Sequence, residues 1–414
     1  MFKVKLQEVA LPTSDRNLDS LTAWFVDTLT LVRKRGDDMA DYGLANPVHR
    51  LLRDYLFTQP DIGWDAQMLA DELGLTPASL NHHLTRLVQS GIIGYTNEGK
   101  GWRRYYLRGG SLTNAVEIFA QQASVVVNQR LAMIDENWAR ENPRLVLELP
   151  ENDRPPLILG IVDHRPLTPD SIENQLSQWM GDFGLLGERP GKEIAADSIS
   201  VKLFELMLAR DAPLSLDEAA EILGGQKARI GRILERFRAS GMVERIPRTD
   251  RLAVALWTAM TAQHQRRGED WMLKKGGFQR ILNAKQQSKL LMALKKNILS
   301  IEDVANELRN VSPQQQMLLL NLLGGRLPLG HRMNGEDAAQ LKRNVQDSLD
   351  RVLRRMRRVA EMLESELSLK KPSRCSVGSG PLSSYSHETE YTPFSPVRHC
   401  AGRQLSFLFG CRQA

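Results

Sequence analysis

The chain has 414 residues, enough for two to four domains that each bury a core of their own. Charged residues make up 25% of it and the formal net charge is +6, a mildly basic balance that suits an anionic partner without requiring one. All three cysteines come after residue 374, which excludes a disulfide framework or a thiolate metal site from the rest of the chain.

The N-terminal segment, residues 1–45, is predicted to be helical. It lacks the continuous apolar core of a signal peptide, and no run of about 18 apolar residues occurs anywhere in the sequence. A cytoplasmic protein without a membrane partner is therefore expected. A more regular pattern begins at Asn46, which can cap a helix over residues 47–57.

A helix-turn-helix pattern follows from Asp65 in the stretch DAQMLADELGLTPASLNHHLTRLVQSGII. Its short first helix ends at Gly74, which can adopt the left-handed conformation that ends helices. Thr76 caps the next helix, and Pro77 occupies its first turn, where a missing N–H costs nothing. Leucines at three- and four-residue spacing then form one apolar face, at Leu80, Leu84 and Leu87.

The next stretch, GYTNEGKGWRRYYL, raises the question of how this protein contacts phosphate. Gly94, Gly99 and Lys100 match the nucleotide-binding pattern G-x-x-x-x-G-K. However, Gly101 stands where a Ser or Thr would hold magnesium, and an aromatic, strand-forming run follows where a helix is needed. A β-hairpin between residues 92 and 107, the wing of the helix-turn-helix, explains the stretch better.

The helix-turn-helix pattern occurs twice. The stretch SLDEAAEILGGQKARIGRILERFRASGMV, which begins at Ser215, aligns without a gap when the first is shifted by 150 residues. The shared positions carry similar residues in both copies: Ala70 and Ala220, Leu73 and Leu223, Gly74 and Gly224, Leu80 and Ile230, Leu84 and Leu234, Leu87 and Phe237, Ser90 and Ser240, Gly91 and Gly241, and Ile93 and Val243. Two copies of one unit are therefore predicted, at residues 46–110 and, more weakly, at 199–257.

The first copy resembles the winged-helix domain of ArsR- and MarR-type transcription regulators. The resemblance rests on ADELGLTPASLNHHLTRLVQSGII and on the wing GYTNEGKGWRRYYL, and it covers about 15% of the chain. It implies that the second helix of the motif enters the major groove of DNA and that the wing meets the backbone. ArsR-type proteins often sense metals through cysteines, and none lies near this motif.

Residues on the outer side of each motif are the candidates for DNA contacts. In the first copy, small or hydrogen-bonding side chains lie opposite the apolar face: Ser79, Asn81, His82, Thr85 and Arg86. In the second copy, cations form a stripe suited to phosphates: Lys227, Arg229, Arg232 and Arg236. Each wing is basic, with Lys100, Arg103 and Arg104 in the first and Arg245, Arg248 and Arg251 in the second. A solvated face or a protein-interaction module is the alternative interpretation.

The segments on either side of the second copy have helical patterns. Residues 111–156 are predicted to be a long helix and a linker, which either mediates dimerisation or packs on its own domain, and residues 157–198 a helical connector. Residues 258–334 are predicted to be a basic connector and a degenerate helical unit. The stretch from Thr258 to Ser300 has nine Lys and Arg against two Asp and Glu. It either adds phosphate contacts or is a solvated connector, and residues 301–325 offer a surface for a protein partner.

A heptad pattern marks the last helix, at residues 335–371. Apolar residues recur at intervals of four and three, at Val345, Leu349, Val352, Met356, Val359 and Leu363. This spacing is typical of a coiled-coil seam. About three heptads are marginal alone, so the helix is expected to support a homodimer that is held together elsewhere. The tail, residues 372–414, is rich in Ser, Gly and Pro and is predicted to be disordered.

The sequence therefore predicts a mostly α fold with small β-wings, built from tandem winged helix-turn-helix domains and a C-terminal coiled-coil-like helix. Catalytic motifs such as H-E-x-x-H and G-x-S-x-G are absent, so no enzyme activity, cofactor or metal site is expected. The predicted function is a dimeric transcription regulator that binds double-stranded DNA. The alternatives are a plasmid or phage replication initiator or partition protein on repeated sites, and a winged-helix interaction scaffold.

Overall fold

The structure, a computed structural model, describes residues 1–12, 17–32, 46–98, 102–138, 154–166, 175–187, 190–191 and 195–370. The described chain is mostly helical and contains three small antiparallel sheets, which confirms a mostly α fold with small β elements. Three predicted features lie on residues that the structure does not describe: Lys100, most of the linker before residue 156, and the tail.

The first half begins with a strand, which corrects the prediction of a wholly helical segment at residues 1–45. Its helices are α1 (Leu18–Thr28), α2 (Pro47–Arg50, continued by a wider π-helical turn at Leu51–Phe57), α3 (Ala66–Leu73), α4 (Pro77–Gln89), α5 (Leu112–Leu131) and α6 (Met133–Asn137). Its strands are β1 (Lys3–Gln7), β2 (Trp64–Asp65), β3 (Ile93–Glu98) and β4 (Trp102–Leu107). Phe2, Val4 and Leu6 are buried in alternation, the period of a strand.

Local capping explains the bounds of α3 and α4. The Asp65 carboxylate accepts hydrogen bonds from two backbone N–H groups in the first turn of α3. Gly74 ends α3 with a φ of 65°, the left-handed conformation in which glycine has no steric penalty. Thr76 Oγ1 then accepts from the Ser79 N–H at 3.3 Å and caps α4. The helix bounds predicted for this motif are therefore confirmed.

A three-stranded sheet in the order β2-β4-β3 follows α4. In its hairpin, Ile93 lies opposite Leu107 and Tyr95 opposite Tyr105. Three of these side chains are buried in the same core as the leucines of α4: Ile93, Tyr105 and Leu107. The predicted hairpin is confirmed, although its turn at residues 99–101 lies outside the described part of the chain.

The second half repeats this order of elements with one interruption. Its helices are α7 (Gln175–Asp182), α8 (Ile199–Ala209), α9 (Leu216–Leu223), α10 (Lys227–Ala239), α11 (Leu252–Lys274), α12 (Phe278–Ile281), α13 (Ala284–Lys295), α14 (Ile301–Glu307), α15 (Pro313–Leu322) and α16 (Ala338–Lys370). Its strands are β5 (Ile158–Val162), β6 (Val243–Pro247) and β7 (Leu329–Met333). Because β5 lies within residues 157–198, the prediction of a purely helical connector there is wrong.

The helix pair α9–α10 is followed by a hairpin whose second strand lies far along the sequence. β6 pairs antiparallel with β7, beginning with Val243 opposite Met333. The prediction of a local wing that ends at residue 257 is therefore wrong. The chain turns into α11 at Leu252, before a second strand forms, and returns to the sheet only with β7.

The two small sheets nevertheless have the same plan. In the first, Trp64 of β2 pairs with Tyr105 of β4. In the second, Leu214 forms a bridge with His331 of β7. Leu214 is equivalent to Trp64 in the alignment that shifts the first copy by 150 residues. β7 of the second unit is therefore equivalent to β4 of the first.

Residues 252–328, which we call the insert, fold between β6 and β7. The insert has a hydrophobic core separate from that of the rest of the chain, formed by Leu256, Met260, Met272, Phe278, Leu290, Leu291, Leu294, Val304, Leu308, Leu319, Leu320 and Leu323 among others. At its base, the Arg248 N–H donates to the Pro328 carbonyl at 2.8 Å, so the chain enters and leaves the insert side by side. One folded insert thus replaces the predicted connector and degenerate unit.

The duplication extends to the strands that begin each half. β1 pairs antiparallel with β5, and Lys5 lies opposite Gly160 at the centre of the register. Any antiparallel pair of strands has a local two-fold axis, so this pairing is compatible with a two-fold relation between the halves. The helix beside each strand, α1 or α7, is followed by a residue in the left-handed conformation, Thr30 with a φ of 46° and Gly184 with a φ of 71°. The two halves therefore share more than the helix-turn-helix.

The long helices that follow the two hairpins, α5 and α16, pack against each other. The six apolar residues of the heptad pattern are at most 1% exposed and belong to the main core. Arg357 of α16 also pairs with Glu117 of α5, with 2.6 Å between nitrogen and oxygen. The seam has its partner within the same chain, so the heptad pattern is not evidence for a homodimer. The helix after the first wing packs within the chain, which is one of the two alternatives predicted for it.

Candidate nucleic-acid interface

The outward face of α4 carries short polar side chains. Asn81, His82 and Thr85 are exposed, and Ser79 lies half-buried at the edge of this face. The leucines of the opposite face are buried. No acidic residue lies in the first turn of α4, so the positive end of the helix dipole has no carboxylate beside it there. Side chains of this kind can donate to and accept from base edges.

Arg86, which was predicted to contact DNA, is held by the fold. Its Nη1 and Nη2 donate to the carbonyl oxygens of Leu31 and Thr30 at 2.5 and 2.8 Å. Arg236, the equivalent residue of α10, donates to the Leu186 carbonyl at 3.0 Å. Both guanidinium groups satisfy carbonyls just beyond the C-terminal end of a neighbouring helix, where cations are favoured. Arg86 and Arg236 therefore leave the set of candidate DNA contacts.

The first wing exposes a cation paired with an aromatic ring. Arg103 and Arg104 are both exposed, whereas the third predicted cation, Lys100, lies outside the described residues. The Arg103 guanidinium lies over the ring of Tyr95, 4.8 Å from its centroid, a cation–π contact. Tyr95 is 42% exposed and is missing from the predicted site. The hairpin register places Tyr95 diagonally across from Arg103. An alignment of the two predicted strands could therefore have identified Tyr95 as a neighbour of that arginine.

The outward face of α10 is cationic. Arg229 and Arg232 are exposed, and neither forms an ion pair with any residue that the structure describes. Lys227 pairs with Asp217 at 2.5 Å, but both side chains are largely solvent-exposed, with 66% and 76% of their surface accessible. Exposed pairs of this kind are worth only about 0–1 kcal/mol, so a phosphate can compete for the lysine. Three of the four cations predicted on this helix are available to an anion.

The second wing is not a basic surface. Arg248 is buried and donates to Glu218 at 2.5 Å and to Asp250 at 2.6 Å. Arg251 donates to the other oxygen of Glu218 at 3.1 Å, and Arg245 is half-buried. The hydrogen bond from Arg248 lowers the pKa of Glu218 to about 2. Because two carboxylates already neutralise Arg248 inside the fold, we no longer count it among the candidate DNA contacts.

The remaining candidates form two unlike surfaces. The first, which we call the polar surface, comprises the outward face of α4 and the hairpin β3–β4. The second, which we call the cationic surface, is the outward face of α10 with Lys227, Arg229 and Arg232. Hydrogen-bonding side chains on a helix suit base edges, whereas unpaired guanidinium groups suit phosphates.

Comparisons with protein-family models, with curated proteins and with solved structures found no match for this chain. Within the described ranges, none of the helices combines the length and the apolar character that crossing a bilayer requires. The inference of function therefore depends on the geometry of the two helix-turn-helix units.

Proposed function

We propose that the chain is a DNA-binding transcription regulator with two winged-helix units. The observation that carries the proposal is the polar surface, in which a helix buries its leucines and turns Asn81, His82 and Thr85 outward beside a hairpin with exposed arginines. In a helix-turn-helix, a helix placed like α4 enters the major groove. Asn side chains pair with adenine through two hydrogen bonds, which makes Asn81 the first candidate for reading sequence.

The second unit contributes mainly affinity in this proposal. The cationic surface offers Arg229 and Arg232, whose charges no described residue neutralises. Neutralised phosphates release counterions, so such contacts strengthen binding to any sequence and weaken steeply with salt. The polar surface then supplies specificity and the cationic surface supplies attraction to the backbone.

The internal two-fold relation supports binding by a single chain. Helix-turn-helix dimers contact two half-sites with two copies of one chain. Here the pairing of β1 with β5 and the packing of α5 on α16 bring two units together in one chain. Because the two units carry different side chains, we propose that the preferred target has two unequal parts instead of a palindrome. A cytoplasmic location belongs to the same proposal.

Selection of duplexes from a random library, followed by fluorescence anisotropy on the selected duplex, tests the proposal. We expect Asn81→Ala/Thr85→Ala to weaken binding to the selected duplex at least about tenfold and to leave binding to a random duplex unchanged. Arg229→Ala/Arg232→Ala should weaken binding to both duplexes and make the slope of log K against log salt less negative by about 2.

A matched control removes the same charge from surfaces outside the proposed interface. Lys202→Ala/Arg343→Ala changes exposed residues on α8 and α16, and we expect the salt slope of the wild type to be retained. If the wild type binds no duplex even at low salt, the proposal is wrong. A protein-interaction scaffold then becomes the better interpretation of the two units.

A further inference from the structure

The insert takes the position of a wing tip. In the first unit, residues 99–101 join β3 to β4, and in the second the insert joins the equivalent strands β6 and β7. On the proposed function, on which this inference rests, the wing of such a unit meets the DNA backbone. The insert is therefore attached to the fold at the place where the second unit would approach phosphates.

The insert also holds an excess of positive charge equal to that of the whole chain. Residues 252–328 contain eleven Lys and Arg against five Asp and Glu, a net charge of +6. From Trp271 to Ile301 there are seven Lys and Arg and no Asp or Glu. Positive charge concentrated in one folded unit is the electrostatic footprint expected of a surface that binds nucleic acid.

Four of these cations lie where α11 is followed by α12 and α13. They are Lys274, Lys275, Arg280 and Lys285, which we call the basic corner. All four are exposed, and none forms an ion pair with a residue in the described ranges. Lys289, one helical turn beyond the corner, differs from them because it pairs with Glu307 at 2.6 Å. The charge of the basic corner is therefore not neutralised within the described chain.

Helix stability accounts for only part of the basic corner. Lys274 and Arg280 lie in the last turns of α11 and α12, where the helix dipole favours a cation. Lys285, in contrast, lies in the first turn of α13, where the helix dipole favours an acidic side chain and opposes a cation. Helices α9 and α14 carry acidic residues in their first turns. Amides stabilise the start of α13 instead, since Asn283 and Gln286 form a capping box and Gln286 Nε2 donates to the Glu307 carbonyl at 2.6 Å.

We propose that the basic corner binds phosphates of the DNA that flanks the site contacted by α4 and α10. Lysine is a compact point charge, so this contact follows the backbone without reading bases. α11 has 23 residues, but the non-helical backbone of Gly268, with a φ of 76°, divides it, so it is shorter than the roughly 34 Å of a straight helix. The insert is attached to the second unit at the start of α11, and the basic corner begins at the other end of that helix.

The test uses the full chain and a duplex selected with the wild type. Binding is measured by fluorescence anisotropy over a salt series, on the selected site alone and on the same site with about two helical turns of random sequence on each side. The basic-corner variant is Lys274→Gln/Lys275→Gln/Arg280→Gln/Lys285→Gln. The control variant removes four exposed cations from α8 and α16 and is Lys202→Gln/Arg343→Gln/Arg354→Gln/Arg358→Gln.

We expect the basic-corner variant to lose the extra affinity of the flanked duplex and to show a salt slope on it less negative by about 3–4. On the selected site alone it should bind within about threefold of the wild type, and the control variant should match the wild type on both duplexes. The inference is overturned if the basic-corner variant has the same salt slope as the wild type on the flanked duplex. It is also overturned if the control variant loses as much affinity for that duplex as the basic-corner variant does. If the wild type selects no duplex at all, the proposed function itself fails.

Discussion

Arg248 is a buried cation at the base of the insert, and Glu218 is one of the two carboxylates that neutralise it. The Arg248 side chain is 5% exposed and its Nη1 lies 2.5 Å from a Glu218 oxygen. Because this hydrogen bond favours the charged carboxylate, the pKa of Glu218 falls from 4.5 to about 2. The stabilisation that Glu218 provides is therefore complete above pH 4.5 and is lost as the pH falls through about 2.

We expect Glu218→Gln to lower the free energy of unfolding at pH 7 by about 1–3 kcal/mol, because Arg248 loses a charged partner. The deficit relative to the wild type should shrink between pH 4.5 and about 2, where protonation weakens the wild-type pair as well. Urea unfolding followed by circular dichroism at pH 7, and again near pH 3, measures both effects. Glu221→Gln changes an exposed carboxylate on the same helix and should have almost no effect. A deficit of equal size at both pH values would contradict the assignment.

Single residues also show what the periodicity of a helix can and cannot predict. The spacing of leucines in α4 predicted correctly that Asn81 and Thr85 are exposed. It could not predict the fate of Arg86, because the carbonyls that Arg86 binds belong to a turn 55 residues earlier in the sequence. A helical pattern gives the angular position of a side chain, but what lies opposite that position is decided by packing between distant segments.

At the scale of elements, α16 shows that a heptad pattern specifies an apolar stripe and not the chain that covers it. The pattern in α16 is regular, and α5 lies against it within the same chain. Met356, at the middle of the stripe, is fully buried in the main core. No property of the repeat itself separates this arrangement from two identical helices in a dimer, so the sequence could not decide between them.

We expect Met356→Ala to lower the free energy of unfolding by about 2–5 kcal/mol, because it leaves a cavity in a closely packed core. Since the contact is within one chain, the thermal midpoint of both proteins should not depend on protein concentration. Circular dichroism melts at two concentrations about tenfold apart provide the measurement. Arg354→Ala, on the exposed side of α16, should change stability by no more than about 0.5 kcal/mol. A midpoint that rises with concentration would point to an interface between chains.

The second wing was mispredicted for a related reason. A strand such as β6 most often pairs in a local hairpin, so the sequence predicts a partner strand directly after β6. The actual partner, β7, is a five-residue strand with a glycine and begins 82 residues after the end of β6. Pairing across such a distance depends on the insert folding as a unit. The sequence next to β6 contains no pattern that predicts this pairing.

At the scale of the whole molecule, the insert is a separable addition to a two-unit fold. Its core does not merge with the main core, and its ends are joined by the hydrogen bond from Arg248 to Pro328. We expect a chain in which Asn-Gly replaces residues 249–327 to fold, because a two-residue turn can join adjacent antiparallel strands. The deletion removes Asp250, but Glu218 remains to neutralise Arg248. Its salt slope on the flanked duplex should match that of the basic-corner variant. Circular dichroism, gel filtration and the same anisotropy series test this, and an aggregated product would show that the insert is required for folding.

The packing of α16 on α5 also has a consequence for how the protein is made. About 200 residues, from Ala132 to Asp337, are translated between the end of α5 and the start of the helix that covers it. At ordinary elongation rates the ribosome needs about 10–40 s for that distance. Throughout this time the part of α5 that α16 covers is exposed on a nascent chain, while the insert can already fold on its own core. The helix that completes the first half is thus made long after the rest of that half, and messages truncated before it would release a protein with an exposed, aggregation-prone face.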